Sequence, residues 1–270
     1  MKKLKTLKIV GGLEFHELIC FRNFKTIENL NICFDNNFIC IDNEDIEYFS
    51  YFHNLKSLAI SSKKMPVFTF ILPNFKVPKK LSRISFTNIK GENILKMLAD
   101  NLKNLSLLEE LKVDDVELKE FDFINLVKLF SSFKYLIKLS LNRIKLTKDS
   151  IYKYIPSVFK SIPSIIQLDI SNNLYDSDII NSKLFENIRL ALPKKLMSLK
   201  IFNNDIGISQ KDIDHIKTTF GSVIIDLENN SPKLDLRSAF CEFMKSSLHE
   251  SGDEDNFSDY FDDADEEMYF

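Results

Sequence analysis

A six-residue hydrophobic pattern that returns at near-constant intervals constrains this chain more than any other feature. The pattern places an apolar residue at its first, fourth and sixth positions, as in Leu136, Leu139 and Leu141. Eight copies start 23 to 31 residues apart, at 4–9, 27–32, 55–60, 81–86, 108–113, 136–141, 165–170 and 196–201. A degenerate ninth copy ends in Ile225 and Leu227. Such a period indicates a repeat architecture rather than one or two compact domains.

The spacing within each copy predicts a short strand. The fourth and sixth positions are two residues apart, so their side chains project from the same face of a strand. One strand cannot bury that face alone, whereas stacked copies join into a parallel sheet over a continuous core. From residue 91 onward the segments between copies carry apolar residues at helical spacings, as in Phe123, Leu126, Val127 and Phe130. The predicted fold class is therefore α/β, a solenoid or horseshoe with a parallel concave sheet and helices on its convex side.

On this LxxLxL pattern the chain resembles leucine-rich repeat proteins over residues 1–231, in about nine repeats. Periods of 28 to 31 with full helices, and the stretch from Leu199 to Gly207, are similar to the ribonuclease-inhibitor-like class. Residues 61–80 contain Pro66, Pro73 and Pro78, which exclude a normal helix, so an extended segment or an inserted loop is expected there. Residues 232–250 are predicted to form a C-terminal capping helix, and residues 251–270 a separate tail.

The net charge of −3 conceals two unlike parts. Residues 251–270 hold nine acids and neither Lys nor Arg, which leaves 36 basic and 30 acidic residues before them. So many acids repel one another, so disorder is expected, and the interleaved aromatics favour docking on a protein partner with a basic surface. The candidate contacts in the tail are Asp259, Tyr260, Phe261, Asp262 and Asp263. A tail that only solvates the chain or balances its charge is the alternative interpretation.

Residues that alternate with the strand core are expected to face the concave side, where repeat proteins usually bind their partners. In the later copies they are Lys112, Asp114, Ser140, Asn142, Asp169, Ser171, Lys200, Phe202, Asp226 and Glu228. The row is polar, mixed in charge and without a run of aromatics for stacking on bases, so a protein partner is expected and nucleic acid is not. The same row is also compatible with a solvated sheet face that binds no fixed ligand.

Three Asn residues follow the last three copies, at the position where many leucine-rich repeats carry Asn. They are Asn173, Asn204 and Asn230, and their side chains are expected to form a ladder of hydrogen bonds to backbone groups at the turn after each strand. Other residues hold this position in earlier copies, including Ile89, Val116 and Ile144. Those turns must satisfy their backbone groups in another way.

No arrangement of side chains in the sequence predicts catalysis, a cofactor or a metal site. The four His residues form no HExxH or HxxxH pair, and GxSxG, GxGxxG and GxxxxGK[ST] motifs are missing. The Cys residues form no CxxC pair and no disulfide framework: Cys20, Cys33, Cys40 and Cys241. We predict a protein that is not an enzyme, has no signal peptide or membrane segment, is monomeric by itself and resides in the cytoplasm or nucleus.

A more distant resemblance points to the regulation of an enzyme. GTPase-activating proteins for the small GTPase Ran are similar in their ribonuclease-inhibitor-like repeats, their terminal cap and their acidic C-terminal tail. The resemblance implies a solenoid edge that orients the GTPase's own catalytic groups, including an Asn at the consensus position of a middle repeat. Ile89, Val116 and Ile144 stand at that position here, so no such Asn carries over. The IGxxG pattern of that family survives only as Ile206 and Gly207.

Overall fold

The computed structural model describes residues 4–11, 20–21, 23–34, 52–63, 78–89, 91–116, 118–145, 148–173, 182–201, 214, 218, 220 and 223–226. Two units are distinguished along the chain, Met1–Pro232 and Lys233–Phe270, and every described residue lies in the first of them. The predicted capping helix and the acidic tail therefore lie outside the described residues, and both stay predictions.

Nine strands form one sheet in which all neighbours run parallel and follow the order of the sequence. They are β1 (Thr6–Gly11), β2 (Asn29–Phe34), β3 (Ser57–Ser62), β4 (Arg83–Thr87), β5 (Glu110–Asp114), β6 (Lys138–Asn142), β7 (Gln167–Asp169), β8 (Ser198–Lys200) and β9 (Ile224–Asp226). The register pairs equivalent residues of successive repeats, such as Leu111 with Leu139 and Leu168 with Leu199. This topology confirms the predicted α/β solenoid.

The apolar positions of the repeat form the core. The fourth and sixth positions of copies two to eight are almost completely buried: Leu30, Ile32, Leu58, Ile60, Ile84, Phe86, Leu111, Val113, Leu139, Leu141, Leu168, Ile170, Leu199 and Ile201. Burial is weaker in the first copy, where β1 is the edge of the sheet. There Leu4 is 38% exposed, and Leu7 and Ile9 are only partly buried.

Helices connect the later strands on the other side of the core. They are α1 (Gly91–Asp100), α2 (Glu120–Phe130), α3 (Lys148–Ser161) and α4 (Ser182–Ala191), which follow β4, β5, β6 and β7. The predicted apolar face of α2 is buried, and the helix begins where the Asp122 carboxylate accepts the Lys119 backbone N–H at 3.3 Å. α3 continues through Pro156, which removes one backbone donor without ending the helix.

Only the ends of the segment 61–80 are described. Ser61 and Ser62 belong to β3, so the strand extends two residues into the predicted loop. Residues 78–80 lead into a turn before β4, and residues 64–77 lie outside the described residues. The prediction for the middle of this segment therefore stays open.

A backbone ladder joins the repeats where each strand begins. The Glu109 carbonyl accepts two N–H groups from the next repeat, those of Ile137 at 2.9 Å and Lys138 at 3.0 Å. The equivalent carbonyls that make the same double contact are those of Lys5, Glu28, Lys56, Ser82, Ile137 and Ile166. Because only backbone atoms take part, this ladder does not depend on which side chains occupy these positions.

At the opposite end of the strands, Asn173 satisfies backbone groups of two repeats. Its side-chain nitrogen donates to the carbonyls of Leu141 at 2.6 Å, Ile170 at 2.8 Å and Ser171 at 3.2 Å. Its side-chain oxygen accepts the Ile144 N–H at 2.8 Å. The residue is 1% exposed, so water cannot replace these bonds. Asn204 and Asn230, the other two members of the predicted ladder, lie outside the described residues.

Earlier repeats satisfy the same turn with backbone bonds in a left-handed conformation. After β4, β5 and β6 the residue in this conformation is Asn88 (φ 59°), Asp115 (54°) and Arg143 (50°), and Asn172 (58°) takes the same conformation after β7, beside Asn173. The N–H of Asn88 donates to the Asp114 carbonyl at 3.0 Å, and that of Asp115 donates to the Asn142 carbonyl at 3.0 Å. Asn and Asp tolerate this conformation better than other residues with side chains, which explains three of these four positions, whereas Arg143 is the exception.

We expect Leu141→Ala to lower the free energy of unfolding by about 2–5 kcal/mol, because the removed side chain is fully buried between the sheet and the helices. Urea denaturation of the full chain measures the change. Leu190→Ala is the matched control, since Leu190 is 73% exposed on α4, and we expect it to change stability by less than about 0.5 kcal/mol. Equal losses for the two variants would contradict the assignment of Leu141 to the core.

We expect Asn173→Ala to cost about 2–4 kcal/mol of stability, because it strands the buried Ile144 N–H and the Leu141 carbonyl without partners. Asn173→Asp keeps an oxygen that can accept the Ile144 N–H but loses the side-chain N–H donors. The carbonyls of Leu141 and Ile170 then lack a donor, so a loss of stability of similar size is expected. Ser140→Ala, on the solvated sheet face, provides the control. Thermal unfolding of the three variants tests this, and an Asn173→Ala variant as stable as Ser140→Ala would disprove the role.

Candidate functional site

Side chains that alternate with the core project from the opposite face of the sheet. Where β5, β6, β7 and β8 lie side by side, they line a shallow depression of about 240 Å³. Its polar lining consists of Glu110, Lys112, Lys138, Ser140, Gln167, Asp169, Ser198 and Lys200. Four of the predicted contact residues, Lys112, Ser140, Asp169 and Lys200, are therefore brought together here from four different repeats.

The charges of the depression alternate across the strands. Glu110 stands beside Lys138 in the register of β5 and β6, and Asp169 stands beside Lys200 in that of β7 and β8. Within the described part of the chain, neither Lys138 nor Lys200 comes within 4.0 Å of a carboxylate. Lys138 and Lys200 therefore make no ion pair with another described residue, although Lys200 stands in register between Asp169 and Asp226, and the side chain of Asp226 is not described.

A charged cluster borders the depression where β5 ends. Asp114 is 7% exposed, and its two oxygens face Lys112 Nζ at 3.4 Å and Arg143 Nη2 at 3.0 Å. Arg143 Nε also approaches Asp115 at 3.9 Å. The Oδ1 atom of Asp114 is buried and makes no hydrogen bond within the described chain, so the guanidinium charge is what compensates it. Asp114 is thus already paired, and a partner would meet Lys112 and Arg143 first.

Ser171 departs from the prediction that it faces a partner. It is fully buried, because β7 ends at Asp169 and the chain turns inward after it. The Asp169 carboxylate accepts the Ser171 backbone N–H at 3.0 Å and closes this turn. Simple alternation therefore fails two residues beyond Asp169, and Ser171 is not available to a ligand.

The remaining predicted contacts divide into described and undescribed residues. Asn142 is half-buried at the end of β6 and accepts a hydrogen bond from the Asn172 side chain at 3.0 Å. Asp226 lies in β9, but its side chain is outside the described residues, as are Phe202 and Glu228. The tail residues are likewise outside them: Asp259, Tyr260, Phe261, Asp262 and Asp263.

Sequence reasoning missed the third position of each copy. Glu110, Lys138, Gln167 and Ser198 occupy it, and all four line the depression. The signal was present, because this position is two residues before the fifth and so shares its face of the strand. Arg143 was also missed, since its role depends on a left-handed turn that alternation does not describe.

The described residues contain neither a metal-binding cluster nor a membrane-spanning helix. No group of three or more His, Cys, Asp or Glu side chains that could hold a metal ion occurs among them. Of the helices in the same part of the chain, none is long and apolar enough to cross a bilayer. Cys20 is exposed and Cys33 half-buried, and both are free thiols.

Comparison with known proteins bears on the fold. No family model and no curated protein matches the chain. Among solved structures, the leucine-rich repeat-containing protein LegL7 from Legionella pneumophila is similar with a TM-score of 0.52 and 15% identity, over 84% of this chain and 74% of that one. A TLR13–ssRNA13 complex matches at 16% identity over 75% of this chain and 40% of that one, but its TM-score of 0.26 is too low to indicate a shared fold. The LegL7 match and the nine-stranded parallel sheet together identify the chain's fold as a leucine-rich repeat solenoid.

Proposed function

We propose that the chain is a non-catalytic scaffold that binds a protein partner on its concave sheet. The depression across β5 to β8 carries this proposal, because residues from four repeats that are distant in sequence meet there on one face. A stacked sheet provides a rigid, extended surface without requiring any catalytic group. The fold alone does not fix a function, so the argument rests on the chemistry of this depression.

The depression favours a partner with charges of both signs. The ammonium groups of Lys138 and Lys200 would pair with acids of that partner, and Glu110 with a base. Opposite charges across an interface govern register and discrimination more than total affinity. The alternating pattern would therefore select a partner in one orientation along the strands.

The proposal includes two further elements from the sequence. The acidic-aromatic tail would add attraction to a basic surface on the same partner, which raises the rate of association. The repeats belong, we infer, to the ribonuclease-inhibitor-like class, because α1 to α4 fill the segments between strands at periods of 27 to 31 residues.

Charge reversal in the depression tests the concave site. We expect Lys138→Glu combined with Lys200→Glu to weaken partner binding by about tenfold or more, because both changes replace attraction by repulsion at the interface. The full chain is used to capture a partner from its native cell, and the purified pair is then measured by titration calorimetry. Lys128→Glu combined with Lys160→Glu is the matched control, since both residues are exposed on α2 and α3.

The control pair is expected to bind as well as the unchanged chain. If the control loses as much affinity as the depression variant, the effect is one of net charge and the concave site is disproved.

A chain whose nine tail acids are changed to the corresponding amides is expected to associate more slowly while its dissociation rate stays within about twofold. A changed dissociation rate alone would contradict a steering role for the tail.

Activation of the GTPase Ran is the alternative, supported by helix-bearing repeats together with an acidic tail. At the position of that family's Asn, Ile89, Val116 and Ile144 are 4%, 1% and 1% exposed and belong to the core. An activator built on this chain would therefore need a different polar residue on the edge of the solenoid.

We expect no acceleration of GTP hydrolysis by Ran when the full chain is added, because no polar group replaces that Asn at the three middle repeats. Phosphate release from Ran loaded with GTP, with and without the chain, measures this. A known activator in a parallel reaction shows that the Ran preparation responds. An acceleration of tenfold or more would instead establish the alternative and overturn the scaffold proposal as the main function.

A further inference from the structure

A second surface lies at the edge of the sheet where the strands begin. Before each of copies two to eight the chain makes a tight turn, in which an N–H bonds to the carbonyl three residues earlier, as Leu136 does to Phe133 at 3.3 Å. The two residues at the tip of each turn are Lys25–Thr26, His53–Asn54, Lys79–Lys80, Ser106–Leu107, Lys134–Tyr135, Pro163–Ser164 and Lys194–Lys195. We call this row of turn tips the lysine rim.

Contacts between successive turns show that the tips stack in a row. The Asn54 side-chain nitrogen donates to the Lys25 carbonyl at 2.9 Å, and Lys80 Nζ donates to the Asn54 side-chain oxygen at 2.9 Å. Further along the rim, Ser164 Oγ donates to the Leu136 carbonyl at 2.8 Å. The lysine rim is therefore a continuous edge whose members are spaced like the strands that follow them.

The rim is strongly positive. Six of its fourteen residues are Lys, and none is acidic. All six lysines are exposed, and none forms an ion pair with another described residue. The neighbouring Glu28 is already engaged, with Lys56 at 2.9 Å and Lys5 at 3.2 Å, and hydrogen bonds from these two lysines lower the pKa of its carboxyl group. Within the described ranges, the six rim lysines are thus not neutralised by ion pairs, and besides Glu28 the exposed Glu109 is the acid that follows a tip most closely.

The lysines follow a regular interval. At the first tip position they occur in every second repeat, as Lys25, Lys79, Lys134 and Lys194. Neighbouring strands are about 4.8 Å apart, so these four lysines are about 10 Å apart along the rim. An extended polypeptide of the polyproline II type advances about 3.1 Å per residue and has three residues per turn. Every third residue of such a segment therefore faces the rim at an interval of about 9 Å.

Apolar side chains lie between the lysines. Leu107 and Tyr135 are neighbours at the second tip position and are 47% and 57% exposed. They offer a contact for aromatic or aliphatic side chains of a bound segment. A single-stranded nucleic acid would instead need several aromatic platforms in a row for stacking, whereas Tyr135 and the imidazole of His53 are the aromatic groups of the rim and lie three repeats apart.

We propose that the lysine rim is a docking site for an acidic polypeptide segment that carries aromatic side chains and binds in an extended conformation. Acids at every third residue pair with the alternate-repeat lysines, and an aromatic residue beside them packs on Leu107 and Tyr135. This site is separate from the concave depression and involves none of its residues. It also selects a partner of the opposite charge to the one that the acidic tail would seek.

Residues 251–270, used as a free labelled peptide, provide a probe of this chemistry. The peptide has Asp259, Asp262 and Asp265 at intervals of three, with Tyr260 and Phe261 beside them. Its binding to the full chain is measured by fluorescence anisotropy at about 50 mM and about 150 mM salt, where an electrostatic contact weakens as salt rises. A second receptor, the full chain with its nine tail acids changed to amides, reveals binding if the rim is already occupied by an acidic segment.

Matched variants locate the binding site. We expect Lys79→Gln, Lys134→Gln and Lys194→Gln together to weaken peptide binding by about fivefold or more, since three charge pairs are lost. Lys96→Gln, Lys128→Gln and Lys160→Gln remove the same charge from exposed positions on α1, α2 and α3 and are expected to change binding by less than about twofold. Lys138→Glu with Lys200→Glu, the concave variant, should retain peptide binding, so the two proposals fail independently.

Peptide variants test the interval. Asp259→Asn, Asp262→Asn and Asp265→Asn should weaken binding more than amides at Asp253, Glu254 and Asp255, although the charge lost is equal. Binding only to the amide-tailed chain supports the site if the rim substitutions weaken it and the helix substitutions do not, because loss of the tail charge alone would raise binding at any basic surface. The proposal is overturned if the peptide binds neither receptor, or if the rim and helix variants lose equal affinity. It is also overturned if the rim binds a twenty-nucleotide single strand or an anionic phosphatidylserine vesicle but does not bind the peptide.

Discussion

The shared backbone carbonyl at the start of each strand is the contact on which the rest of the structure depends. From Lys5 to Ile166, one oxygen of each repeat accepts two N–H groups of the next. These bonds hold adjacent strands in register, so the Leu and Ile pairs of those strands lie side by side in the core. Apolar burial then supplies the stabilisation, while the ladder determines which residues meet.

Because backbone bonds set the register and the buried apolar positions supply the stabilisation, the remaining positions of each repeat can differ from one repeat to the next. The two ends of the strands accordingly carry unlike chemistry. Where strands begin, the turn tips hold lysines and exposed apolar residues such as Leu107. Where they end, the chain has left-handed turns, the Asp114–Arg143 ion pair and the buried Asn173, which bonds to backbone groups. Between them the sheet face opposite the core presents charges of both signs, so a single solenoid offers three chemically distinct surfaces.

The sequence predicts those parts that follow from periodicity. The core positions of copies two to eight and the helices after residue 91 are of this kind, because period and burial are directly linked. Ser171 could not be predicted by alternation, since its burial depends on where β7 stops and on a bond from its N–H to Asp169. The turns that carry the lysine rim have a signal in the sequence, because an apolar residue or Pro stands three positions before copies two to eight. The alternate spacing of the lysines, however, becomes a pattern in space only when the repeats are stacked. Arg143 belongs with Ser171, because its pairing follows from the turn rather than from the strand.

The backbone ladder keeps the distance between neighbouring repeats constant, so equivalent residues along the solenoid lie at regular intervals like the marks of a ruler. Lys25, Lys79, Lys134 and Lys194 are separated by 54, 55 and 60 residues in the chain, yet equal numbers of strands lie between them. The extra residues of longer repeats are absorbed in the segments that lead from one strand to the next, and the marks on the edge keep their interval. Lengthening such a segment would therefore leave the scale unchanged, whereas gaining or losing one whole repeat would displace every later mark by one division.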